Sequence, residues 1–499
     1  MSALLPTLVF LPALGACALA LFPRLSARDP LRFAAGVSGA VFALAVYLFA
    51  AFETGSAAPQ FVFSAPWFEM AGIEVRFAFA LDGLSILLVP LTALLGPIAF
   101  LSAPSHIVER RRSFAVFALL METGMLGVFS ATDLVLFYVF WEVSLVPLYF
   151  IIGIWGGPGR ERATLKFVLY TVAGSVLLLV ALLALLFETR TSDILALPDR
   201  RLPEALETLA FLGFAAGFAV KVPLLPFHTW LPDAHVEAPT SGSVVLAGVL
   251  LKMGTYGLLR FCLPIFPRAT ERFAPLFLLL GAAGVLYGAL LAWAQPDLKR
   301  LIAYSSISHL GMVALGLFAR EGTAVRGALL QMVNHGISTG ALFLLAGMLY
   351  DRTHLRGLGD FGGLAKPMPL FAALFGLTAF ASIGVPGLNG FVGEFLILAG
   401  TFKVSVPFAA AATAGVVLSA VYLLGAARAV LFGPVNEAQA SLPDCTRREA
   451  ATLLPLAALM LLLGIFPGPF LDRIGPSIDR AVGHARAAAA APALPGEQR

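Results

Sequence analysis

The sequence predicts an all-helical polytopic membrane protein of about fourteen transmembrane helices, with two inverted five-helix repeats that each contain a broken helix. Three observations carry this reading. Of 499 residues, 59% are hydrophobic and only 12% charged, against roughly 45–50% and about 25% in a typical soluble domain. Fourteen apolar stretches follow one another along the chain, each close to the ~20 residues that a bilayer-spanning helix needs. The ionisable residues inside those stretches are few and recur beside Pro, Gly and Ser. A water-soluble globule is excluded, and no room remains for a large soluble domain.

Apolar runs punctuated by Pro, Gly and charges give approximate spans at 3–22, 32–52, 78–101, 113–130, 131–152, 164–187, 208–228, 241–262, 273–293, 300–318, 324–349, 370–400, 407–432 and 451–471. The first run lacks a basic leader, and Arg24, Arg28 and Arg32 follow it in place of a small-residue cleavage site. It reads as a retained span and not as a signal peptide. The first, third and fifth connections hold Arg24/Arg28/Arg32, Arg110/Arg111/Arg112 and Arg160/Arg162/Lys166, whereas the second and fourth hold only Arg76. The positive-inside bias puts those odd connections in the cytoplasm, and an even span count puts both termini on the periplasmic side. Arg190, Arg200, Arg201, Arg260, Arg268 and Arg272 fall outside in this scheme.

The segment from Glu53 to Arg76 is the least hydrophobic external connection before residue 188 and a candidate for pairing with a neighbour. The alanine-rich tail after Asp479 reads as low-complexity and poorly ordered. Four units result: a three-span segment at 1–112, five-span repeats at 113–262 and 263–432, and a final span with a disordered-like tail at 433–499. The fourth member of each repeat is interrupted, at Lys221-Val222-Pro223 and at Gly384-Val385-Pro386-Gly387. An odd number of spans per block inverts the second copy. Unwound backbone is tolerated at membrane depth only where it is buried in protein or lines a polar cavity, so matched breaks read as a transport feature. Ordinary proline kinks are the alternative.

The net charge of +4 leaves no electrostatic footprint for nucleic acid. Cys17, Cys262 and Cys445 are far apart and form no metal or disulfide spacing, so no metal cofactor is expected.

Six titratable groups lie at depth: Glu142, Lys221, Lys252, His309, His335 and Glu394. Each costs at least ~2.5–3.5 kcal/mol on insertion scales. Ion pairs that glue helices together are one explanation for them, and axial haem ligation by His309 and His335 is another. The mixture of Lys, Glu and His favours a proton relay, because a desolvated lysine gives up its proton readily while a nearby carboxylate holds it on. Glu142 and Lys221 therefore read as a coupled pair. Asp82, Glu122 and Asp133 lie near predicted span ends and read as helix caps or solvated carboxylates. Asp297, Lys299 and Arg300 read as a cytoplasmic helix start.

At FYVFWEVSLVPLYFIIGIWGG, KVPLLPFHTWLPDAHVEAPTSGSVVLAGVLLKMGTYGLLR and LKRLIAYSSISHLGMV the sequence closely resembles the antiporter-like membrane subunits of respiratory complex I, NADH:quinone oxidoreductase. Within that family it is most similar to the M-type branch. Glu394 stands where the L-type and N-type subunits and the Mrp antiporter subunits carry lysine, and no long lateral helix of the L-type kind follows the last span. The resemblance implies that Glu142 and Lys221 form the ion pair of an input half-channel, that Lys252 is the central connecting lysine and that Glu394 is the terminal group on the output side. His228, His309 and His335 match polar residues of the same hydrophilic axis.

It further implies a proton-translocating subunit of the bacterial inner membrane with L-like and N-like neighbours, in which flavin, iron–sulfur clusters and quinone belong to partner subunits and this chain holds no redox site. An Mrp-type cation/proton antiporter subunit, the membrane arm of a hydrogenase-type complex and a passive scaffold are the competing readings.

Overall fold

The computed structural model describes residues 3–22 and 29–489. Twelve helices, from Leu4–Leu21 to Arg447–Ile465, are long and apolar enough to cross a membrane. Two further crossings are each made in two pieces, Glu204–Lys221 with Trp230–Glu237 and Pro369–Ile383 with Asn389–Val404. Among the described residues the crossings thus number fourteen, and both breaks fall at the expected steps. At the first break Pro223 and Pro226 bring no backbone N–H, so the helical ladder cannot continue through them. At the second, Gly384 and Gly387 take φ of +81° and +91°, a left-handed backbone open to glycine at little steric cost.

Burial is graded from the middle outward. The apolar windows of Thr240–Ile265 and Gly322–Thr353 are wholly buried and that of Leu298–Phe318 is 94% buried, against 28% for Pro30–Ala51. Peripheral helices turn leucines and valines such as Leu165, Leu169, Val176 and Val180 outward, as lipid requires. The central Thr240–Ile265 helix contains two π segments, Leu246–Leu250 and Leu258–Cys262, on either side of Leu251–Gly257. Small residues let neighbouring helices approach closely. Gly281 of Pro267–Trp293 faces Gly311 of Leu298–Phe318, where an added Cβ would lie 2.8 Å from the Gly281 carbonyl oxygen.

The helical membrane fold is as expected, and three details need correction. One β-hairpin lies among the helices, where Gln60–Met70 pairs antiparallel with Ile73–Leu81. The two connecting residues, Ala71 and Gly72, both have positive φ, as a type I′ turn demands. Accordingly the third span begins at Leu88, not near residue 78. Residues 73–81 alternate with the period of two that marks a strand, and Phe77 and Phe79 pack on Phe10.

Glu122 is no end cap. It sits in mid-helix in Arg111–Ser130, buried, and both its oxygens accept from Ser38 Oγ at 2.7 and 2.8 Å. Asp133, by contrast, does cap a helix, accepting from Val135 and Leu136 N–H. The start of the tail is ordered as well. Gly468–Ala489 is one amphipathic helix that buries Ile474, Ile478, Ala481, Val482 and Ala485, positions that recur at helical spacing. The remainder of the tail, 490–499, and Arg24 and Arg28 lie outside the described residues.

The hairpin and the Gly468–Ala489 helix share one face: Gly83 N–H donates to Ser477 Oγ at 2.9 Å and His484 meets the Pro198 carbonyl at 2.7 Å. The Arg111–Ser130 helix runs to this face from the opposite one, since Ala131 bridges Phe79 of the hairpin. Arg112, at its far end, holds the Leu19 and Ala20 carbonyls. The first helix therefore starts on the hairpin face, the same face that carries the Gly468–Ala489 helix.

The Gly281–Gly311 contact generates a prediction. Gly311→Val should lower the melting midpoint of the detergent-solubilised protein, because overpacking costs ~1–3 kcal/mol or more. Gly376→Ala, which meets nothing within 4 Å, should not lower it. Equal midpoints for the two variants would show that the contact is slack.

Candidate functional site: a buried line of ionisable side chains

Lys252 projects from the short α segment between the two π segments and is fully buried. Its Nζ lies 2.6 Å from His335 Nδ1 and also donates to the Ala247 carbonyl. His335 belongs to Gly322–Thr353, and its ring centroid is 5.6 Å from that of His309 on Leu298–Phe318. His309 Nδ1 in turn lies 3.2 Å from Glu394 Oε1. Four ionisable side chains from four helices thus form one line, Lys252–His335–His309–Glu394, through the most buried part of the fold.

Uncharged amides hold its far end. Gln331 Nε2 donates to Glu394 Oε1 at 3.2 Å, and Asn334 Nδ2 donates to the Asn389 carbonyl at 2.7 Å. Asn389 Nδ2 returns a bond to the Asn334 carbonyl at 3.3 Å. Gln331, Asn334 and His335 share a helix face by their three- and four-residue spacing. The first residue after the second break, Asn389, is therefore tied to the same helix that carries His335. The break places Glu394 in the interior and its neighbours fix its orientation. Glu394 Oε2 and His335 Nε2 are buried without a hydrogen-bond partner among the described residues.

Lys221 closes the helix before the first break and is buried, its Nζ 5.2 Å above the Trp141 ring and without a hydrogen-bond partner among the described residues. Trp141 is held in turn by its indole N–H, which donates to Ser175 Oγ at 3.0 Å. A cation over an indole face is attracted by the ring quadrupole. Glu142 acts on Lys221 electrostatically, yet its buried Oε1 also lacks a partner. The two residues share a region and make no direct ion pair among the described residues. Backbone packing joins this pair to the line: Gly254 lies against Val222 and the Phe218 carbonyl, where a Cβ would sit 2.8 Å from that oxygen. His228 stands apart, its ring edge-on to Tyr287 at 5.4 Å.

Sequence reasoning missed His235. Both its ring nitrogens are buried without hydrogen-bond partners among the described residues, its ring stacks on Phe343 at 4.4 Å, and it lies within electrostatic reach of Lys252, Lys299 and His335. The signal was present as the last residue of LPDAH. Gln331, Asn334 and Asn389 were missed because a search for charge passes over amides. Lys299 is also buried, its Nζ 5.7 Å over the Tyr350 ring, although Asp297 caps the helix as expected by accepting from Arg300 N–H. Nearby, His106 lies 3.9 Å from Asp351 and 3.0 Å from Ser241 Oγ. Burial pushes the His106 imidazole below its ordinary value against the opposing pull of Asp351.

Chemically, the line is suited to handing protons between nitrogen and oxygen atoms. Its separations of 2.6 and 3.2 Å are those of hydrogen bonds, and the histidine–histidine step is short enough for one bridging water.

The family model described as "NADH:quinone oxidoreductase/Mrp antiporter, TM" matches residues 131–420. Among curated relatives, NADH-quinone oxidoreductase subunit M of Rhodobacter capsulatus is 44% identical over 500 residues, covering 97% of each chain. A chain of respiratory complex I from Thermus thermophilus with bound NADH superposes with a TM-score of 0.89 at 36% identity, covering 96% of this chain and 99% of that one. A chain of the Mrp complex from Dietzia sp. DQ12-45-1b superposes at 0.84 with 21% identity, covering 97% and 99%, a likeness of fold.

Proposed function

The chain belongs to the NADH:quinone oxidoreductase/Mrp antiporter membrane family, and from that premise we propose that it is the M-type proton-translocating subunit of a bacterial complex I. It spans the inner membrane many times, contacts other membrane subunits, and performs no redox step. Flavin, iron–sulfur clusters and quinone reside in partner subunits. The observation that carries this reading is the buried line Lys252–His335–His309–Glu394, which offers protons a path through a protein otherwise closed by hydrocarbon.

In this mechanism Lys221 loads the line, Lys252 receives the proton, the two histidines pass it on, and Glu394 releases it. Glu142 sets the charge state of Lys221 across the Trp141 face. Both termini lie on the periplasmic side, the side of the hairpin. Moving one charge through 100 mV costs ~2.3 kcal/mol and each pKa unit is worth 1.36 kcal/mol, so a swing of about two units matches that load. The Mrp reading shares the fold, but Glu394 separates it from the lysine that the resemblance assigns to those antiporters.

Three substitutions test the roles in membranes, with subunit content checked by immunoblot. Glu394→Gln should assemble and keep its amide neighbours yet lose most proton uptake, whereas Glu394→Lys, the sister-subunit residue, should retain part of it; full pumping by the Gln variant ends the exit role.

Pro223→Ala should assemble with reduced proton transfer, because a helix lengthened as far as the stop that Pro226 still imposes narrows the space that Lys221 faces. Unchanged transfer would reduce the break to a kink.

Glu142→Gln leaves Lys221 without an opposite charge and should lower coupled NADH oxidation and pumping by roughly tenfold, the effect of a barrier raised by 1.36 kcal/mol. Glu142→Asp should be milder, since the charge survives with a shorter reach. Parental pumping by assembled Glu142→Gln complexes would make Glu142 merely structural.

A further inference from the structure

The helix that carries Lys252 also carries Tyr256 and Arg260 at successive four-residue steps, so the three share one face and rise about 6 Å per step toward the hairpin face. Tyr256 is buried and Arg260 nearly so. Each nitrogen of the Arg260 guanidinium makes a hydrogen bond. Its Nη1 and Nη2 donate to Asp82 Oδ2 and Oδ1, both at 2.5 Å, and its Nε donates to Tyr256 Oη at 3.0 Å. The pair is little exposed, at 12% and 10% of the two side chains.

Asp82 is itself held in place, with Oδ1 accepting from Leu84 N–H at 3.0 Å. The next residue, Gly83, is clamped beneath the Gly468–Ala489 helix, where an added Cβ would lie 2.7 Å from the Arg473 carbonyl. Beyond the ion pair lies a cavity of about 350 Å³, open toward the hairpin face and lined by Asp82, Arg260, Asp199, Arg480, Ser477 and His484. A smaller space of about 10 Å³ touches Tyr256, Arg260 and Asp82 together. The polar side chains of the larger cavity stand among apolar ones such as Leu84, Ile194 and Pro264, and they give it a hydrophilic wall on the side of the ion pair. Only two helical turns and one ion pair separate the cavity from Lys252.

We propose that Asp82–Arg260, backed by Tyr256, is a seal that closes the Lys252 end of the line against this vestibule. The inference rests on the proton-carrying reading of the line and adds to it a barrier. Arginine keeps its charge at any physiological pH, and a fixed guanidinium across a narrow path repels protons, as arginines do in selective pores. Asp82 supplies the counter-charge that lets the guanidinium stay buried and stationary; a buried charge that loses its partner moves or draws in water. With the seal intact, a proton on Lys252 leaves toward His335 and cannot short-circuit into the vestibule.

The test separates a seal from a structural staple by measuring leak. Inverted membrane vesicles carrying the assembled complex are given a pH gradient by an acid jump without NADH, and its decay is followed with a pH-sensitive dye. A second arm follows NADH-driven proton uptake in the same vesicles; its absence in the parental complex would refute the proton-carrying reading, while the acid-jump arm still reports on the seal. Asp82→Asn should keep NADH oxidation near parental rates and speed the imposed decay roughly tenfold, as a barrier lower by 1.36 kcal/mol gives.

Exchanging the charges with Asp82→Arg plus Arg260→Asp should slow the decay again. Tyr256→Phe, which removes only the hydroxyl behind the pair, should leak to a smaller extent and serves where Asp82→Asn does not assemble. Parental decay in assembled Asp82→Asn complexes, or in Tyr256→Phe complexes where the first is lost, overturns the proposal.

Discussion

A charge in hydrocarbon costs at least ~2.5–3.5 kcal/mol, and the arrangement of this protein follows from that cost. Lys252, His335, His309 and Glu394 lie together in the deeply buried interior, where each finds a neighbour of its own kind. One shared polar seam replaces four separate penalties. The surrounding helices, relieved of charge, present Leu and Val to the lipid. Separation of inside from outside is thus a consequence of solvation and not of any one contact.

Irregular backbone follows the same rule. Each break frees donors and acceptors that lipid cannot satisfy, so each lies where protein can. At the second break the Asn334–Asn389 exchange of amide and carbonyl bonds meets that need and at once fixes the entry angle of the half-helix that bears Glu394. The π segments on either side of Lys252 belong to the same pattern. A π turn loosens the regular ladder, and here the segment ahead of Lys252 supplies the Ala247 carbonyl that the ammonium group uses. Departures from regular helix therefore coincide with the polar seam.

On one face of the bundle the hairpin and the amphipathic Gly468–Ala489 helix form a lid over Asp82 and Arg260. Ion pairs join helix ends on this face, Arg268 with Glu207 and Arg326 with Asp479, and equally on the second, where Lys166 and Arg300 share Asp233 and Arg352 binds Glu449 through its two terminal guanidinium nitrogens at 2.7 Å. Buried Lys299 and the His106–Asp351 contact lie at this second end.

The fourteen crossings, the two breaks and the depth of Lys221, Lys252, His309, His335 and Glu394 were legible in the sequence, because hydropathy and proline act locally along the chain. Local signals misled where a strand was read as the start of a helix at 78–87, and where alanine content was read as disorder in a segment whose Ile474, Ile478 and Val482 stripe folds it onto the bundle. Only the tertiary structure decided that His335 takes Lys252 on one side and lies beside a tilted His309 ring on the other, that Lys221 faces Trp141 and does not pair directly with Glu142, and that Asp82 meets Arg260 from 178 positions away. The reason is physical. Transfer into a membrane depends on a residue and its near neighbours in sequence, whereas a hydrogen bond between distant side chains depends on how whole helices pack.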